Sequence, residues 1–442
     1  MKRTGLIVGA GLIRLLIALA FPGVFAFDET GAIHGSGAFD TYAVNLLNTG
    51  VYGLTPGVPD AILPPGYSYT LAAIYGLFGR SALTVIAFHI ALDLLAIFLL
   101  TEIGRRLFPR DRADWIGLIA GALYALYPYL IFQNLTLIDT PLFMALLYTF
   151  ILSLIGLRAH ERMDRRGWLL AICAGGVLGA MALVRPNAVP FAVFGALWFL
   201  FRRNIVQTFI RLAPVALISL CMIAPWFVRN TGVYGTFVTF SVNSGSNFFQ
   251  GNNPQTIPLL RAGYDVQWTT PPEPIPDSPE GDRRWFALTW DYLRSDPRII
   301  PELVWVKFLT FWSIDIAPRL NPVDGVVPPL DADGNIIEGT VGQDDPVAQY
   351  QEPLFDQIGR TVHRFYFGAL LVLSLIGIAL TLKHWRDVAL LWFTQISMTL
   401  VYVAFHPSTR YRVPTDPLLF LFAAFTICSV VHYCFNKRIH VS

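Results

Sequence analysis

The sequence predicts an all-α membrane protein: a polytopic bundle of about ten transmembrane helices, with interfacial helices in two long extracytoplasmic loops. Three observations lead there. The 442 residues are 54% hydrophobic and only 14% charged, whereas soluble globular domains carry about 25% charged residues. Apolar stretches of membrane-crossing length recur near 5–25, 82–104, 114–132, 140–157, 168–184, 187–201, 210–228, 364–382, 387–405 and 414–433. Every second connection between them is packed with arginine, and the others hold the acids, the prolines and the polar motifs.

That asymmetry sets an orientation, because loops rich in Lys and Arg stay in the cytoplasm. One set of loops holds Lys2 and Arg3, then Arg105, Arg106, Arg110 and Arg112, then Arg158, Arg162, Arg165 and Arg166. It continues with Arg202, Arg203 and Arg211, with Lys383 and Arg386, and with Lys437 and Arg438. Both termini are therefore expected inside, in a cell inner (plasma) membrane, with the chemistry facing the outside or periplasm. The N-terminal MKRTGLIVGAGLIRLLIALAFPG has the charge pattern of a signal peptide. Its apolar stretch is long and lacks a small-x-small cleavage site, so it reads as a retained first span.

Three regions follow. Residues 1–229 form an N-terminal transmembrane module containing the first outside loop, 26–81. Residues 230–362 form an extracytoplasmic loop, and 363–442 a transmembrane hairpin and last span. In the first loop, HGSGAFDTYAVNLLNTGVYG and PPGYSYTLAAIYGLFG have a helical apolar period but are short and polar for spans, so they are expected to lie in the interface. In the second, RRWFALTWDYLRSDPRIIPELVWVKFLTFWSI reads as two amphipathic helices broken at Asp296-Pro297. Lys307 within the apolar part argues for an interfacial or re-entrant helix over a span. Residues 253–281 and 318–350 read as loops, and no internal repeat is evident.

The net charge of +2 gives no reason to expect a nucleic-acid partner. Cys173, Cys221 and Cys428 fall inside apolar stretches and Cys434 at an inner edge, so no disulfide framework is implied. The eight histidines are scattered without ligand spacing, which argues against a dedicated transition-metal site.

Polar groups near a membrane boundary are costly unless paired or functional, and here they gather on the outer side. The first outside loop carries Asp28, Glu29 and Asp40. Asp40 opens a helix and is followed by Tyr42 and Asn45. It is either a helix cap or a general base for an acceptor hydroxyl. Asp139, in QNLTLIDTPLF, stands at the outer start of the fourth span, as a cap or as a second carboxylate that orients the acceptor. Arg185, Arg229, Arg410 and Arg412 lie on the side that normally avoids arginine. They either snorkel to headgroups or bind a phosphate, whose oxygens a guanidinium matches bidentately. Trp226, beside Arg229, and His406, beside Arg410, belong to the same outer motifs. Asn252 and Asn253, in SVNSGSNFFQGNNP, either form a turn cluster or hydrogen-bond sugar hydroxyls. DADGN at 331–335 lacks an EF-hand's twelfth-position glutamate and reads as a solvated turn. The sequon at Asn134 abuts the membrane and reads as incidental.

Taken in order, FDTYAVNLLNTGVYG, PPGYSYTLAAIYGLFG, TLIDTPLF, LVRPNAV, APWFVRN, GNNP, SDPRIIPELVWVKFLTFW and RYRVPTDP resemble the polytopic GT-C glycosyltransferases. More narrowly, they resemble the bacterial relatives of the dolichyl-phosphate-mannose protein mannosyltransferases and the aminoarabinose transferases. The resemblance implies a GT-C-like bundle engaged in cell-envelope glycosylation. The donor would be a polyprenyl-phosphate sugar, the acceptor a glycan, lipid or protein, and membrane lipids would surround both. It implies inversion at the anomeric carbon with a carboxylate base. Spacing to the following helix favours Asp40 as that base, whereas relatives' Asp-Glu pair favours Asp28, next to Glu29. Glu29, Tyr42, Arg185, Trp226, Arg229, Asn252, Asn253, His406, Arg410 and Arg412 would line the substrates, and Asp139 would assist the base. The sequence establishes no cofactor and leaves a divalent metal open, which Asp40 and Asp139 could share with a donor phosphate. A transporter or flippase of lipid-linked sugars is the alternative, for which Arg14 and Asp93 inside spans would be the polar groups.

Overall fold

The computed structural model describes residues 2–21, 37–269, 271–320, 327–338 and 354–439. Asp28 and Glu29 lie outside the described residues. Among those described, the chain is helical throughout, with only two isolated bridges, Tyr264–Leu320 and Leu330–Ile336.

The helices, in order, are α1 (Lys2–Ala20), α2 (Gly37–Thr49), α3 (Gly66–Phe78), α4 (Ala82–Leu107), α5 (Ala113–Ala125), α6 (Pro128–Gln133), α7 (Thr140–Ala159), α8 (Arg165–Val184) and α9 (Val189–Leu200). They continue with α10 (Ile205–Tyr234), α11 (Ser244–Gln250), α12 (Thr256–Ala262), α13 (Pro279–Ser295), α14 (Ile299–Phe311), α15 (Leu354–Thr381), α16 (Trp385–Ala404), α17 (Thr409–Arg412) and α18 (Asp416–Ile439).

Among the described residues, seven segments are long and apolar enough to cross a membrane: Lys2–Ala20, Ala82–Leu107, Thr140–Ala159, Arg165–Val184, Ile205–Tyr234, Asp356–Ala404 and Asp416–Tyr433. The sixth holds both α15 and α16, joined by a 3₁₀ turn at Leu382–His384. With the shorter apolar segments Ala113–Ala125 and Pro186–Leu200, each expected span, where described, has a helix, and only the one over 114–132 is divided. This is a multi-pass helical membrane protein. On α10, Phe209, Leu217 and Val228 are exposed, as expected of a helix whose outward face meets lipid tails.

Local chemistry explains the boundaries. Asp164 caps α8 by accepting from the backbone N–H groups of Arg166 and Gly167, and Asn204 caps α10 through Gln207. Gly235, at φ 65°, closes α10 in the left-handed conformation that glycine reaches without strain. The stretch expected as one span over 114–132 is instead two helices, α5 and α6. Pro128 lacks an N–H, and Tyr127 before it is extended (φ −72°, ψ 108°), so the helix stops and restarts. Likewise 253–281 is not all loop, because α12 forms inside it. The break expected at Asp296-Pro297 separates α13 from α14. The 331–335 segment is a turn in which Asp331 accepts from the backbone N–H groups of Asp333 and Asn335, each at 2.9 Å.

Contacts divide the chain into two units. The first is Met1–Phe240, Ala369–Gln395 and Pro414–Ser442, and the second Ser241–Gly368 and Ile396–Val413. In the first unit, α8 packs on α7 and α10, α4 on α5 and α7, and α18 on α5. The short helices α2 and α3 pair with each other, and α3 leans on α8. In the second unit, α11 packs on α13 and α12 on α14.

The α4–α5 crossing depends on glycine. A Cβ placed on Gly117 would stand 2.5 Å from the Thr101 carbonyl oxygen, so only a residue without one permits this approach. Gly117→Val is therefore expected to destabilise the fold by roughly 1–3 kcal/mol, read as a lower thermal midpoint in detergent. An unchanged midpoint would mean that the helices can part at no cost.

Inside this bundle Arg14 donates to Asp93, which also accepts from Tyr124 and, at 3.2 Å, from Asn134. The Arg14 guanidinium also reaches the Ala125 carbonyl at 3.1 Å. Two charges that would be costly in hydrocarbon thus neutralise each other, tying α1, α4, α5 and the turn after α6 together. Asn134, the sequon asparagine, is buried in this network.

Candidate active site

Asp40 does not cap its helix. The helix α2 starts at Gly37 and carries Asp40 inside its first turn, where a carboxylate is favoured by the helix dipole. Its side chain faces α3. Tyr75 donates its hydroxyl to one carboxylate oxygen at 2.8 Å, and Arg80 grips both oxygens, Nε at 3.0 Å and Nη2 at 2.7 Å. The Asp40 side chain is 13% exposed and that of Arg80 43%, so the carboxylate is seated while its cation remains open to the surroundings. Burial, then the charge of Asp40, pushes the Tyr75 hydroxyl far above its ordinary range, so it remains a donor. The hydrogen bond to Asp40 raises the pKa of Arg80 in turn.

Asp139 occupies the cap position of α7, but its side chain makes no capping bond. It holds Arg185 bidentately instead, with Nε at 2.7 Å and Nη2 at 2.6 Å, and Nη2 also reaches the Thr140 hydroxyl at 2.9 Å. Both side chains are buried, at 5% and 8% exposure. The guanidinium lies 5.0 Å from the centroid of the Phe143 ring.

Tyr67, fully buried at the start of α3, feels the charge of both carboxylates. Its hydroxyl lies 2.7 Å from His89 Nε2, and its ring meets Phe39 of α2 edge-on at 5.1 Å. Burial raises the pKa of its hydroxyl most, then the charge of Asp139, with Asp40 adding in the same direction. Gly66 lets α3 start against the end of α8, since a Cβ there would meet Val184 N at 2.7 Å, next to Arg185.

Three other expected substrate ligands of this unit, Arg229, Trp226 and Tyr42, brace the loop between α2 and α3, and Asn45 joins them. Arg229 donates to the carbonyls of Asp60 at 2.6 Å and Tyr52 at 2.7 Å. Trp226 donates to the Phe240 carbonyl at 2.9 Å, and Tyr52 packs edge-on against its indole. Tyr42 donates to Asp60 and stacks on Tyr52. Asn45 donates to the carbonyls of Gly53 and Leu54, both at 2.9 Å. Asp60 organises the loop further by accepting from Leu54 N at 2.7 Å.

In the second unit, Asn253 caps locally, accepting from Gln255 N at 2.8 Å and donating to the Phe249 carbonyl at 2.7 Å. Arg412 donates to the carbonyls of Phe311 at 2.8 Å and Ser313 at 2.6 Å, and stacks on Phe367. His406 lies 3.3 Å from the Tyr411 hydroxyl, and burial lowers its pKa. Arg410 lies beside the Tyr411 ring. Asn252 accepts at 2.7 Å from Lys307, whose ammonium also reaches the carbonyls of Ala404 (3.2 Å) and Phe405 (3.3 Å).

Burial pushes Lys307 down to about 7 from its ordinary 10.5. Below pH 7 the folded and unfolded chains both carry this proton. Between pH 7 and 10.5 only the unfolded chain holds it, so this group makes the fold more stable as pH rises through that window. The thermal midpoint of Lys307→Met is expected to lack the part of the wild-type rise between pH 7 and 9.5 that this group causes. Identical pH profiles would contradict the shift.

Arg80, Tyr75, Tyr67 and Asp60 were not among the residues singled out from sequence. Arg80 and Asp60 had a signal, being a cation and an acid in the first outside loop, subject to the reasoning that selected Arg185 and Asp40. The two tyrosines had none beyond their place in an aromatic helix. Among the described residues no group of three His, Cys, Asp or Glu side chains converges as a metal site would require. Both oxygens of Asp40 and of Asp139 already face a guanidinium, so the two do not present a shared metal site in this arrangement.

Residues 63–228 match the family model of dolichyl-phosphate-mannose-protein mannosyltransferases. The match contains Tyr67, Tyr75, Arg80, Asp139, Arg185 and Trp226. The archaeal oligosaccharyltransferase AglB from Archaeoglobus fulgidus, solved with an inhibitory peptide and a dolichol-phosphate, superposes with a TM-score of 0.56 over 99% of this chain. This chain has the GT-C fold. Sequence identity to AglB is 13%, and the chain spans 51% of AglB's length. The Archaeoglobus fulgidus oligosaccharyltransferase tethered to an acceptor peptide gives a TM-score of 0.55 at 12% identity, covering 99% of this chain and 50% of that one. ArnT from Cupriavidus metallidurans bound to undecaprenyl phosphate gives a TM-score of 0.42 at 13% identity, covering 96% of this chain and 77% of that one. No curated protein matches the sequence. The matched segment runs from the end of the loop between α2 and α3 into the second half of α10.

Proposed function

We propose that this chain is a membrane-embedded glycosyltransferase that moves a sugar from a polyprenyl-phosphate donor to an acceptor hydroxyl, with inversion. One observation carries the reading: a seated carboxylate, Asp40, whose cation, Arg80, is half open and able to take up a second anion. The family match and the dolichol-phosphate of AglB support a lipid-phosphate donor.

The step balances on these residues. The acceptor oxygen attacks the anomeric carbon as Asp40 takes its proton. The bond from that carbon to the phosphate oxygen breaks on the opposite face, its electron pair staying with the departing polyprenyl phosphate. Arg80 neutralises the charge that develops there, an electrostatic contribution that is usually large in such sites. A phosphate that draws Arg80 toward itself also loosens its grip on Asp40, leaving the carboxylate freer to accept the proton. We assign Arg229 and Arg412 to holding loops, because their guanidiniums already have backbone acceptors, and Asp139 with Arg185 to positioning α3. With the arginine-rich helix ends in the cytoplasm, Asp40 faces outside.

The test is transfer by purified protein from a panel of radiolabelled polyprenyl-phosphate sugars to an envelope extract, with and without EDTA. Sugar release from one donor supports the reading, and the EDTA lane reads any need for a divalent metal. Movement of intact donor across a vesicle bilayer, without sugar release, would replace transferase by transporter. Arg80→Gln is expected to raise the donor KM by roughly tenfold or more, the scale of one lost charge-assisted contact, with Arg80→Lys restoring part of it. An unchanged donor KM would remove Arg80 from the phosphate.

A further inference from the structure

The arginine-rich end of the first unit holds a groove of about 670 Å³, away from Asp40 and Asp139. Five guanidiniums line it: Arg105 and Arg106 from the last turn of α4, Arg110 just beyond, Arg158 from the last turn of α7, and Arg202 after α9. Orientation in a membrane explains why arginines gather at this end, and helix C-termini favour them. Neither explains why Arg158 is buried. Its residue is 6% exposed, its guanidinium lies 3.7 Å from the Trp198 ring centroid, and its Nε and Nη2 have no hydrogen-bond partner.

A buried cation without acceptors is costly, and the neighbouring acids are already engaged. Arg202 takes Asp387 at 2.5 Å. Arg105 and Arg106 share Glu102, at 3.2 and 3.9 Å, with Arg3 at 2.5 Å. Among the described residues Arg110 and Arg158 have no carboxylate partner. The groove is therefore short of negative charge at the point where its deepest cation has two unused donors. Its walls are apolar where Phe108, Ile155 and Trp198 face it. A guanidinium with two free N–H groups fits two oxygens of a phosphate.

We propose that this groove binds a phosphate-bearing anion between Arg158 and the rim arginines Arg106 and Arg110. The group can come from an anionic lipid headgroup or from a soluble phosphate. The apolar walls and the position at the ends of spanning helices favour the lipid. The site is independent of the transfer reaction and stands or falls apart from it.

Full-length protein in detergent would be titrated with dioleoyl-phosphatidic acid, with dioleoylglycerol, which lacks the phosphate, and with inorganic phosphate, read by native mass spectrometry. Phosphatidic acid should be retained and dioleoylglycerol lost, and Arg158→Gln should weaken retention by about tenfold. Arg106→Gln/Arg110→Gln, on the rim, should weaken it similarly and decides the matter if Arg158→Gln fails to fold. Arg166→Gln, exposed at the same end but outside the groove, should change nothing. Competition by millimolar inorganic phosphate would identify a soluble ligand, and its absence a lipid one. Equal retention of dioleoylglycerol, unaltered retention in folded groove variants, or an equal loss in Arg166→Gln would overturn the proposal.

Discussion

Asp40→Asn is expected to lower sugar transfer by about 10²–10⁴-fold, the usual contribution of a positioned general base, with little change in thermal stability. Asparagine nearly preserves the shape of the side chain and keeps an oxygen for the Tyr75 hydroxyl, but it cannot take a proton. The pairing lost with Arg80 involves a cation that is 43% exposed. Pairs of that kind contribute about 0–1 kcal/mol, so a large loss of rate would report chemistry and not unfolding. Initial rates with a saturating donor, on protein matched by thermal midpoint, make the comparison. A variant retaining more than about a tenth of the wild-type rate would exclude Asp40 as the base, and Asp28→Asn would be assayed next.

The second large effect belongs to Asp139 and Arg185. Removing one member of a buried, bidentate pair leaves an uncompensated charge, and Arg185→Leu is expected to destabilise the fold by about 3–5 kcal/mol. The double variant Asp139→Leu/Arg185→Leu should recover much of that, because two apolar groups replace two mutually satisfied charges. Transfer activity in the double variant then separates two roles. If Asp139 only holds Arg185, next to the end of α8 against which α3 starts, activity returns with stability. If it acts on the acceptor, stability returns and transfer does not. A stable single Arg185→Leu variant would show that the pair does not hold the fold.

Much of the architecture was readable from the chain. The ten apolar stretches became helices because a backbone in hydrocarbon must satisfy its own hydrogen bonds, and twenty apolar residues leave few other outcomes. The helical pair α2 and α3 and the break between α13 and α14 followed from apolar period and from proline. The misreadings were local. The span expected over 114–132 broke at Pro128, and Asp40 proved to lie inside its helix because α2 begins three residues earlier, at Gly37.

The candidate site was legible as a list of residues but not as a set of partners. Sidedness selected Asp40, Asp139, Arg185 and Arg229, since a charge at the outer boundary needs a reason whatever the fold. It could not say which reason. Asp40 and Arg80 stand 40 positions apart, Asp139 and Arg185 46, and Arg229 reaches carbonyls 169 and 177 positions away. Helical period and charge count concern neighbours a few residues apart, and they carry no information about such pairings. Composition thus determined by itself that this is a many-helix membrane protein, and charge asymmetry set the expectation that its polar chemistry gathers at one boundary. Only the tertiary structure decided which arginines hold loops, which one faces a seated carboxylate, and which one is buried without an acceptor. Those outcomes depend on where the packed helices bring distant guanidiniums, carboxylates and carbonyls within about 3 Å of one another.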